Sequence, residues 1–239
     1  YYLTNPLESG DKFYKLVLAQ ADDKSLKAII KGLEQPDDKS IRVIENYEFF
    51  KSKLQSLEDL RPVCSGLAKL MVVDISLNRE QDNPQLIFES MNSTGKELSQ
   101  ADLIRNYILM GLEPEHQTHL YEQYWRPMEL AFGQQAYSDY FDSFMRHFLT
   151  VKTREIPKIG DVYDVFKEYS RRPSVASKGV NELVKDIRNY AIYFCAFALG
   201  KEKNEELKLA FKDLRELKVD VAYPLLLELY SDYSSEFLT

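Results

Sequence analysis

Phe88-Glu89-Ser90-Met91-Asn92-Ser93-Thr94-Gly95-Lys96-Glu97-Leu98-Ser99-Gln100-Ala101-Asp102-Leu103-Ile104-Arg105-Asn106-Tyr107-Ile108-Leu109-Met110 reads as a helix, a tight polar turn and a second, capped helix. Just upstream, Asn83 suits an N-cap and Pro84 the first helical position, where a missing N–H costs nothing. Leu86, Ile87, Phe88 and Met91 then supply the buried side of the first helix. Gly95 can take the left-handed conformation that closes the Asn92-Ser93-Thr94-Gly95 turn, and Asn92 is the other residue type that tolerates it. Ser99 and Asp102 have capping-box spacing, so the serine hydroxyl is expected to bond the N–H three residues on while the carboxylate reaches back. With Leu103, Ile104, Tyr107 and Ile108 on one side, Lys96, Asp102, Arg105 and Asn106 form a polar edge beside the turn. That edge suits a ligand; equally, Asn, Ser, Gly and Asp are the residues that turn and cap a chain with no ligand at all.

Working outward, apolar residues recur at helical spacing almost to the C-terminus. Tyr121, Trp125, Met128 and Phe132 make one stripe and Tyr137, Phe141, Phe144 and Phe148 another, both read as core. Further helices are expected around Val162 to Tyr169, Val180 to Leu199, Glu205 to Leu217 and Ala222 to Tyr230, with Lys152 to Gly160 and Ser170 to Ser177 as loops. Towards the N-terminus, Ser25 to Lys31 reads as a short helix ended by Gly32. Ile41 to Leu57 reads as a longer one with Ile44, Tyr47, Phe50, Leu54 and Leu57 on a buried face. Phe13 to Ala19 and Leu70 to Leu77 are short and rich in aromatic and β-branched residues, which reads as two strands. Two strands alone make a marginal sheet, so further strands are expected before Tyr1. The expected class is mainly α with a small β component, divided into residues 1–110 and a helical domain over 111–239.

The net charge of −7 argues against a broad nucleic-acid-binding surface. The charge is uneven, however. From Gln81 to Met145 there are ten acidic residues against three basic, and from Phe141 to Tyr190 ten basic against seven acidic. Within the second stretch Arg146, Lys152 and Arg154, beside Phe144 and Phe148, are candidates for phosphate contact; a solvated helix end explains them as easily. His116 and His119 are three apart but lack a third ligand at suitable spacing, so no metal site is assigned. Cys64 and Cys195 are far apart, and buried free thiols in a reducing cytoplasm fit them. No apolar run approaches the roughly 18 residues needed to span a bilayer, so no membrane is expected. Phosphate-loop, nucleophile-elbow and dinucleotide-turn motifs are absent.

Phe88-Glu89-x-x-Asn92-x-x-Gly95-x-x-Leu98-Ser99-x-x-Asp102-Leu103-Ile104-Arg105-Asn106 resembles the signature of the GmrSD restriction endonuclease family. Tyr121-x-x-Tyr124-Trp125-x-Pro127-x-Glu129 looks like a second helix of that family, and Asp142-Ser143-Phe144-Met145-Arg146-His147-Phe148-Leu149 resembles a third, in the same order. The resemblance runs from about Lys12 to Tyr169. It implies bacterial defence against foreign DNA, in a protein whose N-terminal domain has a ParB/sulfiredoxin-like fold with an Asp-Gly-Gln-Gln-Arg motif associated with nucleotide binding and hydrolysis. Many members end in an HNH nuclease domain. Neither motif occurs here. The resemblance therefore implies the last part of a ParB-like domain followed by a helical array, without catalytic residues and inactive alone. The nucleoside triphosphate and divalent cation then belong to the full-length protein, and none is expected in this stretch. On this reading Asn92, Ser93, Thr94, Gly95, Lys96, Arg105 and Asn106 complete a nucleotide or DNA site. DNA and a sister subunit or nuclease domain are the expected partners. The competing reading is a non-catalytic helical module that docks a partner protein.

Overall fold

The computed structural model describes residues 2–18, 20–72, 74 and 98–237. The chain forms two compact units, Tyr1–Ile75 and Ser76–Thr239.

In the first unit, Gly10–Phe13 is a 3-10 turn, α1 spans Gln20–Lys31, α2 Ile41–Gln55 and α3 Arg61–Leu67. The α1 start is fixed by Asp23, whose carboxylate accepts the Leu18 N–H at 3.2 Å and pairs with Lys27 at 2.7 Å. Gly32, at φ 65°, ends the helix as its sequence position predicts. Two buried serines then tie α1 to α2: Ser40 N–H donates to Ser25 Oγ at 2.8 Å, and Ser40 Oγ accepts the Val43 N–H that opens α2.

The expected strands are not found among the described residues. Phe13 closes the 3-10 turn, and Tyr14 makes only an isolated antiparallel bridge with Thr4, flanked by Asn5 N–H to Phe13 O and Lys15 N–H to Leu3 O. Leu70 to Val72 is irregular and exposed; Val73 and 75–77 lie outside the described residues. Strand propensity is realised only where a neighbouring ladder accepts the backbone, and among the described residues of these segments only Tyr14 has a bridge partner. Nor is a ParB-like sheet seen among the described residues. The α2 prediction needs a second correction. Tyr47, Phe50 and Leu54, expected to be buried, are 41%, 61% and 40% exposed, and no residue of α2 is fully buried.

In the second unit α4 is Gln100–Leu109 and α5 is Pro114–Leu120, which runs through a π turn, Tyr121–Trp125, into α6, Arg126–Phe132. Pro127 accounts for the π turn: it has no N–H to give the preceding turn, and its ring would strike the carbonyl four residues back. The chain therefore widens, and Arg126 N–H bonds Tyr121 O instead. α7 is Gln134–Thr153, α8 Val162–Arg171, the one-turn α9 Pro173–Ala176, α10 Gly179–Ala198, α11 Glu205–Glu216 and α12 Tyr223–Phe237.

α7 and α10 lie at the centre. α7 is packed by α4, α6, α8 and α12, and α10 by α6, α9, α11 and α12. Both predicted stripes are core: Trp125, Met128, Phe132, Phe141, Phe144 and Phe148 are buried and join Phe166, Phe194 and Phe197 in one cluster. Neighbouring rings meet at 5–6 Å, mostly tilted or edge-on, the arrangement their quadrupoles favour. Of the two thiols only Cys195 is buried, and burial pushes it up to about 12; Cys64 is exposed, contrary to expectation. No helix among the described residues is long and apolar enough to cross a membrane.

Candidate functional site at the edge of α4

The site predicted from the sequence divides at residue 98. Asn92, Ser93, Thr94, Gly95 and Lys96 lie outside the described residues, whereas Arg105 and Asn106 stand half-buried on successive positions of α4.

α4 starts as predicted in one respect. Ser99 Oγ accepts the Asp102 N–H at 3.1 Å. The Asp102 carboxylate reaches back to the Ser99 hydroxyl at 2.9 Å rather than to its backbone. The remaining N-terminal amides go elsewhere: Gln100 N–H and Ala101 N–H donate to the two oxygens of Asp142 on α7, at 3.1 and 2.7 Å. A carboxylate is the natural partner of a helix N-terminus, where free N–H groups and the positive dipole end coincide. Gln100 in turn accepts the Tyr163 N–H at 2.8 Å, capping α8. The two caps fasten α4 to α7 and α8, and the amides that would have cradled a phosphate at this helix end are occupied.

Arg105 bridges two carboxylates. Its guanidinium meets Asp102 at 2.9 Å on its own helix and Glu129 on α6 at 3.3 Å. The second Glu129 oxygen accepts the Tyr121 hydroxyl at 3.0 Å, and Trp125 Nε1–H donates to the Tyr137 hydroxyl at 3.0 Å in the same region. Burial raises the Glu129 carboxyl above the ordinary range, although Tyr121 and Arg105 both favour its charged form. Burial and the Glu129 charge together push the Tyr121 phenol up to about 12. The network thus joins residues of two of the family-like motifs, Asp102 and Arg105 from one and Tyr121 and Glu129 from the other.

The three candidate phosphate contacts do not share a partner. Arg146 Nε–H donates to Pro157 O at 2.8 Å, Lys152 pairs with Asp186 of α10 at 2.8 Å, and Arg154 pairs with Glu228 of α12 at 2.6 Å. Lys152 also lies over the Tyr190 ring at 4.1 Å. Although burial opposes its charge, Asp186 holds it protonated above the ordinary lysine range. A phosphate would have to displace a carboxylate at two of these positions. His116 bonds Asn181 at 2.7 Å and His119 lies edge-on to Tyr124, while no cluster of three metal-ligating side chains occurs among the described residues.

Sequence reasoning missed Asp142, Gln100 and Glu129 as working residues. Asp142 and Glu129 stand inside the family-like motifs, but the α4 residues they bind are 24 to 42 positions away, beyond the reach of any local pattern; only Tyr121, eight residues from Glu129, is a local partner.

Residues 2–109 match the family model described as GmrSD restriction endonuclease, N-terminal domain, and the match ends on the last residue of α4. No curated protein and no solved structure matches the chain. The motif resemblance and the family match agree: residues 2–109 are similar to the N-terminal domain of the GmrSD restriction endonucleases.

Proposed function

We propose that the chain acts within a nucleotide-dependent restriction protein directed against foreign DNA. Residues 1–110 contribute part of a nucleotide or DNA site, and residues 111–239 form a helical connector to a nuclease domain or sister subunit. The observation that carries this reading is the fastening of α4, the last helix of the family match, to α7 and α8 through Asp142 and Gln100. A helix held at both its amides and its side chains transmits position rather than absorbing it.

The occupied amides of α4 sharpen the site. Phosphate, taken with its divalent cation, would be met by the Asn92–Lys96 turn, through backbone N–H groups and the Asn92 amide. Arg105 and Asn106 would form the neighbouring edge, and Arg105 would leave Glu129 or Asp102 only for a stronger anion.

The test is nucleotide hydrolysis and DNA cleavage by the full-length protein. Asn92→Ala should lower both without changing the melting temperature, and Arg105→Ala should lower both with some loss of stability. Full activity in both variants would overturn the site assignment.

The exposed apolar side of α2 favours a second reading, a module that docks a partner protein. Light scattering separates the two: a stable dimer of this chain that Phe50→Ser dissolves would support docking.

A further inference from the structure

Arg105 is one cation shared by two carboxylates, and the two are unequally supported. Asp102 lies in the first turn of α4, at the positive end of the helix dipole, and its other oxygen accepts the Ser99 hydroxyl at 2.9 Å. Glu129 lies in α6, which continues the π turn and so has no free N-terminus to favour a charge. One Glu129 oxygen meets Arg105 at 3.3 Å and the other accepts the Tyr121 hydroxyl at 3.0 Å. The Glu129 side chain is 24% exposed: a proton reaches it from water, yet water solvates its charge poorly. Burial first, and the Asp102 carboxylate beyond the guanidinium, hold its carboxyl above the ordinary range against Tyr121 and Arg105. Both phenols facing it are raised, Tyr121 to about 12 and Tyr137 of α7 further still, so each stays a neutral donor. Of the cations around α6, Arg126 acts on Tyr121, and Lys201, which follows α10, donates to the carbonyls of Ala131 and Phe132.

We propose that Glu129 is a proton-operated latch for Arg105. While Glu129 is charged, the guanidinium is held across from α4 to α6. When a proton from water binds the oxygen that Arg105 faces, that oxygen becomes an O–H with nothing to offer a cation. The guanidinium then keeps Asp102 alone, and its freed N–H groups turn to solvent at the α4 edge. Tyr121 goes on donating to the other oxygen, so α6 keeps that contact in either state. The reverse follows by linkage: an anion that draws Arg105 away makes Glu129 take up a proton. This last step rests on the α4-edge site proposed above. The latch itself rests on the geometry of Asp102, Arg105, Tyr121 and Glu129.

The experiment has two arms, both on the 239-residue chain. In the first, urea unfolding of the wild type, R105A, E129Q and R105A/E129Q gives the coupling between Arg105 and Glu129 as a function of pH. Glutamine imitates the protonated carboxyl and still accepts from Tyr121, so E129Q should fold. The coupling should be full near neutral pH and disappear as the pH falls through the raised Glu129 range. A coupling that is absent at neutral pH, or that acid leaves unchanged, would overturn the latch. Carboxyl NMR adds a readout that a merely structural role would not move. The Glu129 resonance, identified by its loss in E129Q, should titrate higher in R105A than in the wild type; an unchanged or lower midpoint would overturn the proposal. The second arm titrates inorganic sulfate, whose own charge is constant over this range. At neutral pH E129Q should bind it about fivefold more tightly than the wild type, the worth of a good half-exposed ion pair, and R105A more weakly. Wild-type affinity should rise in acid towards that of E129Q. Equal affinity in the wild type and E129Q, with R105A weaker, would overturn the latch and leave Arg105 in the anion site. Equal affinity in all three, or binding by none, would overturn the anion step and remove Arg105 from the proposed site, while the first arm would still decide the latch.

Discussion

α2 in the first unit and α10 in the second both carry apolar residues at helical spacing, yet they have opposite fates. In α10, Val184, Ile187, Ala191, Phe194 and Cys195 are buried, and the Phe194 ring meets Phe132, Phe144, Phe197 and Tyr223 at 5.5–5.8 Å. In α2, Tyr47, Phe50 and Leu54 remain exposed, and Phe49 meets its neighbour Phe50 edge-on and Lys53 over its ring face. The difference is the number of opposing faces. α10 is approached by α6, α9, α11 and α12, whereas α2 packs within its unit on α1. Periodicity creates a face; only complementary faces around it turn that face into a core. Full burial of one such aromatic side chain is worth roughly 1.5–3 kcal/mol, so α2 forgoes several of these terms.

The largest expected effect lies on the α10 side of this comparison. Phe194→Ala should cost about 3–5 kcal/mol of unfolding free energy, read by urea titration, because four rings lose their shared neighbour. A loss below about 1 kcal/mol would mean that the second unit is as loosely packed as α2.

Next is His147, buried on α7 between Phe194 and Tyr223. Burial, with Arg146 adding repulsion and Asp220 only partly offsetting it, lowers its imidazole to about 4 from 6.5. The unfolded chain therefore binds a proton that the folded one resists. Stability is intact above about pH 6.5 and falls as the pH drops towards 4, by up to ~3 kcal/mol. His147→Phe should flatten the melting temperature between pH 7 and pH 5, relative to the wild-type fall. An unchanged profile would assign the acid sensitivity to other groups.

Asp142→Ala should cost about 2 kcal/mol, since it strips the partner from two helix-terminal amides. Hydrogen exchange should accelerate first at Gln100 and Ala101. Protection that stays unchanged there would break the argument that α4 is fastened to α7.

The smallest effect is expected back on α2. Phe50→Ser should change stability by no more than about 0.5 kcal/mol, as for other surface substitutions. A loss comparable to that of Phe194→Ala would show that the α2 face is covered in solution.

The second unit was legible in the sequence to the extent that its helices bury strictly periodic stripes. Tyr137, Phe141, Phe144 and Phe148 could be assigned to a core before any partner was known. The first unit was less legible for the same reason in reverse. Phe13 and Tyr14 have strand-forming side chains, but a strand exists only with a neighbour, and these residues find a 3-10 turn and one bridge. At the candidate site, Ser99 declared its capping role through local spacing. Asp142 could not, because its partners lie 41 and 42 residues earlier in the chain.

The sequence by itself determined the likeness of residues 2–109 to a known family, the helical character, the start of α4 at Ser99 and the aromatic stripes of α6 and α7. These follow from residue order and local spacing, which fix capping and periodicity without reference to distant chain. Only the tertiary structure decided that Asp142 occupies the amides of α4, that Arg105 is held between Asp102 and Glu129, and that Tyr47, Phe50 and Leu54 of α2 stay exposed. Each depends on which groups from remote segments arrive at the same place, and that is set by the packing of whole helices.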